Sequence, residues 1–103
     1  MVEKITWSNE AIKSFFEICN YLLDNWTSRE VEQFENRLKG KLEVLKTNPR
    51  LGSPTGNQPN IHKTVLHKKT LLIYRYKPAK KEIVLLNFWN TLQNPQKLKI
   101  PRR

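Results

Sequence analysis

The sequence predicts an α+β domain: an N-terminal strand and an αα-hairpin packed on a small, mostly antiparallel four-stranded sheet, in the order β-α-α-β-β-β. Three observations predict it. Apolar residues keep helical spacing from Ile12 to Leu45, with one interruption at Thr27. A segment holding Pro49, Gly52, Pro54, Gly56 and Pro59 then breaks that period. Beyond it lie three short runs rich in branched and aromatic residues, divided by basic turns. A chain of 103 residues forms one domain, residues 1–103.

Val2–Trp7 reads as the first strand. Ser8 stands where a helix N-cap belongs, and Glu10 in the first turn complements the helix dipole. Ile12, Phe15, Phe16, Cys19, Leu22, Leu23 and Trp26 then form one wide apolar stripe. Within it Cys19 reads as a small buried hydrophobe. Thr27-Ser28-Arg29-Glu30 has the form of a capping box, so a second helix starts as the first ends. Val31, Phe34, Leu38, Leu42 and Leu45 continue the period until Asn48-Pro49 stops it.

The strands follow as Ile61–Leu66, Leu71–Tyr76 and Ile83–Trp89. Their connections, His67-Lys68-Lys69 and Lys77-Pro78-Ala79-Lys80-Lys81, have hairpin length. Ile83-Val84-Leu85-Leu86 is apolar on both faces, which predicts a central strand covered by the helices on one side.

Charge is divided at the loop. Residues 1–49 hold 7 Lys/Arg and 8 Asp/Glu, whereas residues 50–103 hold 12 Lys/Arg and the single acid Glu82. A balanced half followed by a cationic half points to an anionic macromolecular partner, nucleic acid or acidic protein. One cysteine excludes an internal disulfide, and no run reaches membrane-spanning length, so a cytoplasmic location without membrane contact is expected. Two histidines, one cysteine and no carboxylate pair beside either histidine predict no metal site. Isolated glycines predict no phosphate loop, and no cofactor is expected. The second helix balances its cations with glutamates, which fits poorly with a DNA-reading helix.

Five segments in register carry a resemblance: Ile5-Thr6-Trp7-Ser8; Asn48-Pro49-Arg50-Leu51-Gly52; His67-Lys68-Lys69; Leu72-Ile73-Tyr74-Arg75-Tyr76; and Phe88-Trp89-Asn90-Thr91-Leu92-Gln93-Asn94-Pro95-Gln96-Lys97-Leu98. Together they resemble the RelE/ParE superfamily, the toxins of type II toxin–antitoxin modules. The resemblance implies that family's fold, a bacterial origin and an antitoxin whose extended segment wraps the toxin. It also implies two branches, RelE-like members cutting mRNA on the ribosome and ParE-like members poisoning DNA gyrase without nuclease activity. Members of this kind act in plasmid stabilisation.

Metal-free RNA cleavage needs a base for the 2′-hydroxyl, cations for the phosphorane and an acid for the leaving oxygen. The RelE-like pattern places lysines on the second strand, arginines at the start of the third and after the fourth, and a tyrosine or histidine near the C-terminus. Here Lys63 fits a second-strand lysine. The third strand opens Thr70-Leu71-Leu72, Leu92 stands after the fourth, and no tyrosine or histidine follows Tyr76. These vacancies favour a ParE-like toxin.

A different nuclease set is His67 as base, kept neutral by Lys68 and Lys69, with Lys69 and Arg75 clamping the phosphate. Its alternative is a solvated basic turn. Arg75 either binds a phosphate or antitoxin carboxylate or pairs with a helix glutamate. His62 falls on the opposite face from Lys63. Lys63, Lys68, Lys77, Lys80, Lys81, Trp89 and Lys97 are the candidate residues for binding nucleic acid or an acidic antitoxin, with one of Phe88 and Trp89 in the core. Tyr74 and Tyr76 are expected to pack with hydroxyls at the rim. Three readings follow: a ParE-like inhibitor of DNA gyrase, a ribosome-dependent mRNA endonuclease, and a degenerate member that binds an antitoxin but poisons nothing.

Overall fold

The N-terminal strand β1 (Lys4–Trp7) runs into helix α1 (Asn9–Asn25) through Ser8, which serves both elements. Its hydroxyl oxygen accepts the Ala11 N–H at 3.0 Å and donates to the Leu86 carbonyl at 3.1 Å. Its N–H donates to the Leu85 carbonyl at 3.0 Å. The predicted cap therefore also ties the helix start to the sheet. The computed structural model describes residues 2–25, 27–55, 58–67 and 70–90, except the side chain of His67. Trp26 lies outside the described residues.

Helix α2 (Ser28–Thr47) starts where expected, but without the Thr27 side-chain bond that a capping box requires. Thr27 is the extended N-cap residue and makes no side-chain cap bond. The first turn instead closes through the Glu30 N–H and the Thr27 carbonyl at 3.0 Å. Thr27 is exposed, so water reaches the N–H groups a cap would otherwise serve. The apolar stripe of α1 also divides. Ala11, Ser14, Ile18, Cys19 and Leu22 are buried, whereas Ile12, Phe16 and Leu23 are 43%, 59% and 52% exposed. The stripe is wider than the face that the sheet and α2 cover.

The strands β2 (Ser53–Pro54), β3 (Ile61–His67), β4 (Thr70–Lys77) and β5 (Glu82–Asn90) complete one sheet in the order β1-β5-β4-β3-β2. Five strands stand where four were predicted. The addition is a two-residue strand within the predicted loop, too short to show a period in sequence. Gly52 admits it: a Cβ there would lie 2.6 Å from the Lys63 carbonyl oxygen. β1 runs parallel to β5, and the other neighbours are antiparallel. β5 is an interior strand, paired on both sides and covered by the helices on one face, as its apolar run predicts. The β4–β5 connection is a 3-10 turn, Pro78–Lys80, closed by Lys81 at φ 50°.

Burial follows two faces. Against the helices, the Phe15 ring lies 5.4 Å from Trp7, 5.6 Å from Phe34 and 5.7 Å from Phe88. The fully buried Phe34 and Phe88 each contribute about 1.5–3 kcal/mol through burial, with about 0.5–1.5 kcal/mol more per well-oriented ring pair. On the opposite face Ile61, Ile73 and Leu86 are buried with Val84 against them. Leu86 is there because the β4–β5 register shifts: Ile73 pairs with Asn87 and Tyr74 with Leu85, leaving Leu86 as the extra residue. The Ser14 hydroxyl accepts the Phe88 N–H at 2.9 Å just beyond this bulge.

Candidate functional site

The sheet face turned away from the helices collects most of the candidate residues that are described. Register fixes its rows, since paired residues share a face. Lys4, Glu82 and Lys77 form one row across β1, β5 and β4. Thr6, Val84, Arg75 and Ile61 form the next. Asn87, Ile73 and Lys63 follow, then Trp89, Leu71 and Val65. The centre is thus aliphatic, with cations around it. The register places Lys63, Arg75, Lys77 and Trp89 on one face.

Glu82 organises the first row. Its Oε2 accepts the Thr6 hydroxyl at 2.6 Å. That hydrogen bond, with the ammonium groups of Lys4, Lys77 and Lys80 nearby, holds its carboxyl below the ordinary value against the opposing pull of burial. A carboxylate so held is a poor proton donor at neutral pH. Its negative charge instead offsets part of the field of three lysines gathered at one end of the sheet.

Arg75 is half-buried between Ile61 and Val84. Because α1 and α2 lie on the other side of the sheet, the second of its two alternatives, a pairing with a helix glutamate, does not fit this placement. Leu71, at the start of β4, sits between Val65 and Trp89, so among the described residues this row of the face carries no cation. Trp89 is half-buried, its indole N–H without a partner among the described residues, while Phe88 is the core member of the pair. Lys80 and Lys81 are exposed in the turn, with the Lys81 ammonium 3.8 Å from the Glu3 carboxylate.

The proposed base cluster is only partly described. The backbone of His67 ends β3 opposite Thr70, while its side chain, Lys68, Lys69 and Lys97 lie outside the described residues, as does Leu92. His62 is on the helix side, as alternation placed it, buried with its ring 5.5 Å from the Tyr74 ring and nearly parallel to it. Tyr74 departs from expectation. Its hydroxyl is not at the rim but accepts the Gly52 N–H at 3.0 Å and donates to the Pro49 carbonyl at 2.9 Å. Burial pushes its pKa up, with the Gly52 bond opposing, so the phenol stays protonated and able to donate.

Sequence reasoning missed Lys4 and Thr6. Their alternation in the first strand was a usable signal, but the parallel pairing with β5 that brings them to Glu82 was not. It also missed Arg50, whose guanidinium carbon lies 4.9 Å above the Tyr76 ring. The arrangement offers cations around an aliphatic floor, suited to an anionic partner with apolar groups of its own.

Residues 5–95 match the family described as the ParE toxin of the type II toxin–antitoxin system parDE. Comparison with curated proteins gives no match. Among solved structures, the chain is similar to one from the chromosomal ParDE system of P. aeruginosa. Identity is 14% and the TM-score 0.67, covering 87% of this chain and 96% of the other. A mutant of the E. coli toxin RelE in the free state gives 18% identity and a TM-score of 0.63, covering 92% and 90%. A chain of the intact E. coli RelBE toxin–antitoxin complex gives 20% and 0.57, covering 82% and 90%.

Proposed function

The chain belongs to the ParE toxins of the RelE/ParE superfamily, and on that premise we propose that it arrests growth by binding DNA gyrase and is neutralised by an acidic antitoxin. The carrying observation is the row Val65–Leu71–Trp89. Where the nuclease pattern puts an arginine at the start of β4, this row is apolar, two aliphatic residues and an indole. Among the described residues, no cation of this row would stabilise a phosphorane there. The toxin would act in the cytoplasm, where gyrase and a co-expressed antitoxin meet it, and the reading requires no cofactor. Purified chain is expected to inhibit gyrase supercoiling and to leave ribosome-bound mRNA intact. Intact supercoiling activity with growth still arrested would remove this reading.

One observation favours the ribosome-dependent endonuclease as second reading: Lys63 and Arg75 project from the same sheet face. In that case mRNA cut sites appear on induction, and His67→Ala abolishes them.

A further inference from the structure

We infer that the exposed apolar stripe of α1 is a homodimer surface, on which two copies of this chain pack their first helices antiparallel about a twofold axis. The inference goes beyond the gyrase reading and does not depend on it, because α1 covers the sheet face opposite the candidate site. Ile12, Phe16 and Leu23 are the large apolar residues of α1 left exposed, Phe16 the most so at 59%. At about 100° per residue they fall within an arc of roughly 40° on the helix surface, so they form one seam. Apolar residues exposed singly need no explanation, but several in line along one helix mark a contact surface.

Charge selects the occupant. The chain carries a net +10, so two copies repel one another at most approaches. α1 is the exception, with Glu10, Glu17 and Asp24 against the single cation Lys13. Two copies therefore meet at least electrostatic cost helix to helix.

The seam is also self-complementary in one register. In an antiparallel helix pair, residues on the same flank of the two helices face each other. Lys13 and Asp24 share a flank near opposite ends of α1, and both line one concavity. Neither has an ion-pair partner among the described residues. Setting Lys13 opposite the partner's Asp24, and by symmetry Asp24 opposite the partner's Lys13, fixes the axial offset. At that offset the partner's Leu23 lies level with the midpoint between Ile12 and Phe16, because both helices rise by the same roughly 1.5 Å per residue. Glu17 then faces the partner's Asn20, so no acid on this flank faces an acid. A single register thus forms two ion pairs and seats the apolar residues as knobs in holes. A twofold contact of this kind closes at two copies. One helix face per copy falls short of the roughly 1,200 Å² at which stable interfaces begin, so the dimer is weak and concentration-dependent. It leaves both cation-edged sheet faces directed outward.

Sedimentation velocity of the full chain across a wide concentration range is expected to show monomer passing into dimer, with no larger species. Phe16→Ser, at a largely exposed position, should weaken dimerisation by more than about tenfold with an unchanged circular dichroism spectrum. Lys13→Glu should weaken it as well, and adding Asp24→Lys to that variant should restore it, which separates the register from general charge effects. Amide shifts on dilution should centre on Ile12, Phe16 and Leu23. A chain that stays monomeric at every concentration, with α1 amides shifting only when another protein is added, would overturn the inference. Assembly beyond the dimer, a dimer indifferent to Phe16→Ser, or a charge swap that fails to restore association would overturn it too.

Discussion

Replacing Tyr74 by Phe tests how the segment after α2 is held, and with it the placement of Gly52, β2 and the β3 edge. The substitution deletes one oxygen and keeps the ring, so packing against His62 survives. Two bonds are lost. The buried Gly52 N–H loses its acceptor at 3.0 Å, at a cost of about 1–3 kcal/mol for a buried unpaired donor. The Pro49 carbonyl, part-buried and 2.9 Å away, loses a donor worth about 0.5–1.5 kcal/mol and is partly compensated by water. Together these give about 2–3 kcal/mol. For a domain of this size that is a fall of roughly 10–15 °C in melting temperature. Urea unfolding followed by tryptophan fluorescence should show the midpoint move with an unchanged slope. A loss below about 0.5 kcal/mol would mean that the hydroxyl does not hold this segment, and would refute the reasoning.

Three further outcomes follow from single side chains. Ser14→Ala removes the acceptor of the Phe88 N–H beside the β5 bulge and should cost about 1–3 kcal/mol in chemical denaturation; a neutral result would show the amide finds another partner. Glu82 has a folded pKa below the ordinary value of about 4.5, so its contribution is present above that pH and is lost as pH falls through the lower folded value. An acid titration of the melting temperature should therefore drop more steeply in wild type than in Glu82→Gln, and parallel curves would contradict the Thr6 and lysine account. His62→Phe keeps the ring stack and removes a buried Nδ1 that has no partner, so stability should be unchanged or higher by up to about 1 kcal/mol; a clear loss would show that the nitrogen is served.

Local chemistry made most of the fold legible. Ser8 capped the helix it was expected to cap, Asn48-Pro49 ended α2, and Ile83–Leu86 marked an interior strand, because each signal acts over a few residues. The failures came where distant segments decide. Thr27 has the right spacing for a capping box, yet nothing orders its side chain at an exposed helix end. Ser53–Pro54 pairs only because Gly52 lets two backbones approach, and two residues carry no periodicity. Ile12, Phe16 and Leu23 match a core stripe in sequence but exceed the width that the sheet and α2 bury. Alternation correctly placed His62 on the face opposite Lys63, whereas only the strand register brought Lys63 and Arg75 together. It did not reveal the contribution of β1, since the parallel contact of Lys4 with Glu82 joins residues at opposite ends of the chain.

The central claim is that a cation-edged face with an aliphatic centre acts on a protein and not on a phosphodiester. Its most direct test is to add the purified chain to gyrase and relaxed plasmid, and in parallel to translating ribosomes with a defined mRNA. Loss of supercoiling with uncut message is the expected result. Ribosome-dependent cleavage with gyrase unaffected would contradict it.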